Sequence, residues 1–253
     1  MKALRSIFRL VAAATIVIGG ALSVMLFSWI PLHYRDVRFG AWFFSWGVRL
    51  LMPALGLRFL CNQPEIIIQH RGLIFPNHIS YFDTLVMSYL LPTRFLAKKA
   101  VRHWPFIGWI ATATGTMYVD RNNQAARSEA RSAVAESLRA QPYPPLVVFP
   151  EGTTNPTETL LPFRHGVFDI AVRSGIPYLL VAIVYERPDV VTWRSREEGL
   201  LSTVRRLARS DPSTVKLVPV QVIHPKPTDE PSRLAAEARQ IVGAALASAA
   251  ASS

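Results

Sequence analysis

Two long apolar stretches open the chain, and short apolar runs separated by polar turns fill the rest. Residues 10–32 carry no formally charged side chain. As a helix this stretch is long enough to cross a bilayer's hydrocarbon core of roughly 30 Å. Lys2, Arg5 and Arg9 precede it, as expected at a cytoplasmic end. A cleaved signal peptide is the competing reading, but Phe27, Trp29 and Ile30 crowd its end where such a peptide has small residues. The second stretch, 39–60, is interrupted by Arg49 and Pro53. Charge at mid-membrane is costly. Trp42, Trp46 and Arg49 instead suit a helix lying in the interface, or a hairpin partner that dips in and returns. A core helix of the soluble part is the alternative for 39–60. The pair predicts a membrane-anchoring helical hairpin over residues 1–62, followed by a folded domain over 63–253.

Beyond residue 63 the runs have the length of strands and amphipathic helices. Strands are predicted at 65–69, 73–75, 94–97, 115–119, 146–149, 178–185 and 215–223. Helices are predicted at 80–90, 124–138, 163–174, 196–209 and 232–250. Strands alternating with helices give an α/β fold, a mixed, mostly parallel sheet flanked by helices.

Composition narrows the function. The chain is 50% hydrophobic and 18% charged, with a net charge of +11. Seven basic residues and one acidic residue in positions 1–60 put +6 of that charge beside the apolar runs. The charge therefore points to an anionic membrane surface and not to nucleic acid. The single Cys61 excludes an intrachain disulfide framework. No zinc-ligand spacing surrounds His70 or His78, so no metal site is expected.

The chemistry concentrates in two polar clusters, Asn77-His-Ile-Ser-Tyr-Phe-Asp83 and Phe149-Pro-Glu-Gly-Thr-Thr-Asn155. His78 and Asp83 would diverge by about 140° on one regular helix. They converge if His78 lies in the turn after strand 73–75 and Asp83 lies in the first helical turn. Ser80 and Asp83 also form a Ser-x-x-Asp capping pattern, with Asp83 at the third helical position. The two roles are compatible. Asp83 can take the proton on one ring nitrogen of His78 and leave the other nitrogen to accept a proton from an alcohol. No Gly-x-Ser-x-Gly elbow supplies a nucleophile. Direct attack by a substrate hydroxyl is the simplest scheme, and activation of water, making a lipid hydrolase, is the runner-up. A non-catalytic lipid-binding protein would explain the apolar start but not the two polar clusters.

These motifs resemble, in order, those of the glycerolipid acyltransferases of the lysophosphatidic-acid acyltransferase superfamily. The likeness is carried by His78-x4-Asp83, Gly115-Thr-Met-Tyr-Val-Asp-Arg121, Phe149-Pro-Glu-Gly-Thr153 and the region of Ile176-Pro177, with Phe163-Arg-His-Gly166 in a usual place. The resemblance spans about residues 64–185. It implies that His78 deprotonates the acceptor hydroxyl of a lysolipid, most simply 1-acyl-glycerol-3-phosphate, with Asp83 orienting the imidazole. Acyl-CoA or acyl-carrier protein would be the acyl donor, with no bound cofactor. It also implies that Arg121, Glu151, Gly152 and Thr153 contact the acceptor. Lys98, with Lys99 and Arg102, would meet phosphates of the donor or of bilayer lipids.

The chain departs from the family pattern in three places. Thr154 and Asn155 follow Phe-Pro-Glu-Gly-Thr where arginine is frequent, His165 replaces a frequent basic residue, and Leu180 stands where a second proline is common. The missing arginine keeps a lyso-ornithine lipid or lysophosphatidylethanolamine open as the acceptor. A cytosolic donor would place the catalytic domain on the cytoplasmic side of an inner or other cytoplasm-facing membrane.

Overall fold

The computed structural model describes residues 2–104, 106–119, 124–155, 157, 159–193 and 198–251, with only the backbone over 124–127. In chain order, α1 (Lys2–Phe27) is followed by a short hairpin of β1 (His33–Tyr34) and β2 (Val37–Arg38), then α2 (Phe39–Ala54) and β3 (Leu57–Leu60). Next come α3 (Pro64–Gln69), β4 (Leu73–Pro76), α4 (Asp83–Ser88), β5 (Arg94–Lys98), a 3-10 turn over Lys99–His103, and α5 (Ile107–Ala113). The chain continues through β6 (Met117–Val119), α6 (Gln124–Ala140), β7 (Leu146–Val147), α7 (His165–Ser174) and β8 (Tyr178–Tyr185). It ends with α8 (Pro188–Val191), α9 (Leu200–Arg209), β9 (Ser213–Ile223) and α10 (Pro231–Ala251).

Among the described residues, seven strands form one sheet in the order β3-β9-β8-β4-β7-β5-β6. From β8 to β6 all neighbours are parallel, whereas β9 runs antiparallel to β8 and carries β3 parallel to itself. The sheet is mixed and mostly parallel, as the alternation of runs predicts. Its central strands are apolar at every position because both faces are covered. Ile74, Leu179, Val181 and Ile183 join a core with Met52, Val86 and Leu207. Leu73, Phe75, Tyr178 and Leu180 join the opposite core with Leu138, Phe168, Leu234 and Val242.

The segment 65–69, expected as a strand, is the helix α3. Pro64 occupies its first turn and Glu65 follows, both helix-start signals, while three consecutive isoleucines imitate a strand.

The N-terminal region also differs in part from expectation. Among the described residues one helix, α1, is long and apolar enough to cross a membrane. The second apolar stretch is not one helix over 39–60. It divides into α2 and the sheet strand β3, and α2 places Trp42, Val48 and Met52 in the main core. The helices α1 and α2 do pair closely: a Cβ on Gly40 would lie 2.8 Å from Ser28 Cα and 2.9 Å from Phe27 C and O. The α1 side turned inward is small or polar, with Ser6, Arg9, Ala13 and Ala21 buried beside Val24. Its outward side carries Leu4, Ile7, Phe8, Val11, Ile18 and Leu22. Arg5 donates to Asp211 Oδ1 at 2.8 Å, and Arg9 donates to the carbonyl oxygens of Ser210 at 2.8 Å and Ala208 at 3.3 Å.

Candidate active site

The dyad is assembled where β4 ends and α4 begins. Asn77 fixes this corner against β8: its Oδ1 accepts from Ile183 N at 2.7 Å and its Nδ2 donates to Ile183 O at 3.1 Å. His78 follows, and its Nδ1 lies 2.9 Å from Asp83 Oδ2. The same carboxylate oxygen accepts from the main-chain N–H groups of Ile79 at 2.8 Å and Ser80 at 2.9 Å. The carboxylate half of the expected capping box is thus present. The serine half is shifted: Ser80 Oγ accepts from Phe82 N at 3.1 Å, and the helix itself begins only at Asp83.

The second oxygen, Asp83 Oδ1, accepts the Tyr185 hydroxyl at 2.8 Å. Burial, then the charge of Asp83, holds the Tyr185 hydroxyl far above its ordinary pKa, so it stays a donor. With both oxygens of the buried Asp83 accepting, the network assigns the His78 proton to Nδ1 and the lone pair to Nε2. Nε2 meets Thr154 Oγ1 at 3.1 Å. The imidazole also stacks on Phe149, with centroids 3.8 Å apart and planes 18° apart.

The second polar cluster comes to the first through Glu151. This side chain is buried, with Oε1 accepting His78 N at 2.7 Å and Oε2 accepting Leu161 N at 3.1 Å. Burial raises its pKa despite these two amide donors. Asn155 N donates to His78 O at 2.8 Å. Gly152 is in the left-handed region at φ +71°. Thr153 is exposed beside it, and Lys98 is exposed at the same end of the sheet, on β5. Arg121 lies outside the described residues. Sequence reasoning gave no role to Asn77, Phe149, Thr154 or Tyr185. Thr154 and Phe149 stood inside the quoted motif, but Tyr185 and the Asn77 contact depend on the register of β8, which no local pattern reveals.

A histidine carrying its proton on the carboxylate side, with its free nitrogen against a hydroxyl, is built to accept a proton from an alcohol. Thr154 Oγ1 occupies the place such an alcohol would take.

The Acyltransferase family profile matches residues 58–184, half of the chain, and takes in His78, Asp83, Glu151 and Thr154. The chain belongs to the acyltransferase family. Among its relatives is the lyso-ornithine lipid O-acyltransferase of Pseudomonas aeruginosa, 34% identical over 175 residues, 67% of this chain and 66% of the relative. The 1-acyl-sn-glycerol-3-phosphate acyltransferase of Neisseria meningitidis serogroup B is 34% identical over 137 residues, 54% of this chain and 53% of the relative. The chain thus spans between about half and two thirds of the length of these curated relatives. The crystal structure of the 1-acyl-sn-glycerophosphate acyltransferase of Thermotoga maritima shares the fold, with a TM-score of 0.72 and 18% identity over 98% of this chain and 96% of that one. Among the described residues of this acyltransferase-family chain, no group of three or more His, Cys, Asp or Glu is arranged to hold a metal ion.

Proposed function

We propose that this chain moves a fatty acyl group from an acyl thioester to the free hydroxyl of a lysolipid, with His78 as the general base. The carrying observation is the chain of contacts from Tyr185 through Asp83 to His78, which ends with Nε2 against a hydroxyl. His78 Nε2 takes the acceptor's proton as its oxygen attacks the thioester carbonyl. The tetrahedral intermediate collapses, the carbon–sulfur bond breaks, and the departing thiolate takes the proton back from His78. The products are a diacyl lipid and free thiol, CoA or acyl-carrier protein.

Glu151 serves as a strut that fixes the His78 backbone. Thr153 on the exposed turn, Arg121 and Lys98 are assigned to the substrates' polar groups, as the family resemblance implies. The acceptor in this reading is 1-acyl-glycerol-3-phosphate. A lyso-ornithine lipid is the second reading, favoured by Thr154 standing where arginine is frequent and by the two-thirds overlap with the Pseudomonas relative.

Both substrates are oily, and the site is bordered by oily surface. Tyr81, in the dyad turn, faces Trp104 at 6.3 Å between ring centroids. Trp104, Phe106 and Trp109 are exposed, and α1 packs against α5. Arg5 and Arg9 tie the start of α1 to residues 208–211, beside β9, whose Val215 pairs with Tyr185. The α1–α2 pair is therefore assigned to one leaflet of a cytoplasm-facing membrane, with its outward leucines and phenylalanine in lipid and the site at that surface.

The deciding experiment compares membranes carrying the full chain with membranes carrying His78→Ala. Each receives labelled acyl-CoA or acyl-carrier protein and a panel of lysolipids. Diacyl product from the wild type, reduced at least about a hundredfold in the variant, is expected. Absence of transfer to every acceptor, or equal transfer by the variant, would remove the reading.

A further inference from the structure

The turn that carries Thr154 is shaped around a side chain the dyad does not use. A Cβ on Gly152 would stand 2.5 Å from Arg164 Nε and 2.7 Å from Arg164 Cδ. The left-handed backbone and the stem of the arginine both require glycine here. Arg164 donates its main-chain N–H to Pro150 O at 2.9 Å and its Nε–H to Glu151 O at 3.2 Å. Glu151 in turn holds His78 N, and two residues beyond Gly152 the Thr154 hydroxyl meets His78 Nε2. The guanidinium is thus anchored at its stem to the turn that completes the active site. Arg164 is exposed, and among the described residues none of the ion pairs includes it. Its terminal amino groups form a planar fork whose geometry suits two oxygens of one phosphate or carboxylate.

We propose that Arg164 reads the anionic headgroup of the lysolipid acceptor, and that Gly152 is glycine so that this arginine can cross the turn. The assignment rests on His78 being the base for the acceptor hydroxyl. It makes Arg164 a specificity-determining residue: it touches the headgroup, not the reacting atoms. A phosphate monoester and an amino-acid carboxylate are both ligands of this kind. The phosphates of acyl-CoA are the rival source of the same chemistry.

The test uses full-length wild type, Arg164→Ala and Arg164→Lys in detergent–lipid micelles, with thermal unfolding confirming that all three are folded. The acceptors are 1-acyl-glycerol-3-phosphate and the uncharged monoacylglycerol with the same chain. The donors are acyl-CoA and an acyl-pantetheine, which has no phosphate. For Arg164→Ala the expected result is a KM for the anionic acceptor raised about tenfold or more, with kcat within about threefold. Transfer to monoacylglycerol and the KM for acyl-CoA should stay level, and lysine should restore part of the loss. An unmoved acceptor KM would overturn the assignment. So would a raised KM for acyl-CoA that disappears with acyl-pantetheine, or an equal loss with the uncharged acceptor. If the wild type transfers to neither acceptor nor to a lyso-ornithine lipid, the dyad reading fails and this assignment falls with it.

Discussion

Asp83 accepts four hydrogen bonds with two oxygens, from His78, Ile79, Ser80 and Tyr185. A buried carboxylate so fully engaged holds an imidazole in one tautomer and one orientation. Glu151 has the same economy, with both oxygens on main-chain amides. Glu151→Gln replaces one acceptor with an amino group facing an N–H, which costs about 1–3 kcal/mol. The melting temperature should fall by several degrees. The pH dependence has a definite sign. Burial lifts the folded pKa of Glu151 above 4.5, so the folded state binds that proton more tightly than the unfolded state. The associated stability is fully present below 4.5 and is lost as pH rises through the folded pKa. The wild type's advantage over Glu151→Gln should therefore be larger at the acid end of this window than at neutral pH. Melting curves of both proteins across the window check this, and parallel curves would contradict it.

At the scale of elements, the fold was readable wherever one run formed one element with both ends marked. The strand expected at 178–185 has those limits in the structure, and 124–138 lengthens only to Ala140. The dyad was readable because His78 and Asp83 lie on one turn, so local geometry alone brings them together. Tyr185 and Ile183 reach the same corner from more than a hundred residues away. Their approach is set by β8 pairing in register with β4, Pro76 opposite Val181, which is a tertiary fact. The division of 39–60 was hidden for a different reason: apolar content alone does not distinguish lipid from a protein core as its neighbour. The close crossing of α1 and α2 at Gly40 makes a sharp prediction at this scale. In Gly40→Val the added methyls meet the main chain of Phe27 and Ser28, which no rotamer change can relieve. A loss of about 1–3 kcal/mol is expected, read as a lower melting temperature with the dyad untouched. An unaltered melting temperature would mean that the crossing contributes nothing.

For the molecule as a whole, the distribution of surface is the main physical statement. A soluble helix turns its large apolar side chains inward. Here α1 turns Leu4 and Phe8 outward, at 74% and 73% exposure, and keeps Ser6 and Arg9 inside. A contiguous apolar stripe of this kind needs lipid or protein over it. Full-length protein should float with anionic vesicles in a density gradient. Phe8→Asp combined with Ile18→Asp should shift most of it to the bottom fractions without lowering its melting temperature in detergent. Flotation indifferent to both changes would argue against α1 as the lipid-facing surface.

Arg9 carries a practical consequence. Its guanidinium lies against Gly56, just before β3, and donates hydrogen bonds to the carbonyl oxygens of residues 208 and 210. A biochemist wishing for a water-soluble version would cut away the greasy first thirty residues. That cut would also withdraw the clasp holding the edge of the catalytic sheet. Solubility is better sought by recolouring the outer stripe of α1, residue by residue, than by amputating the helix.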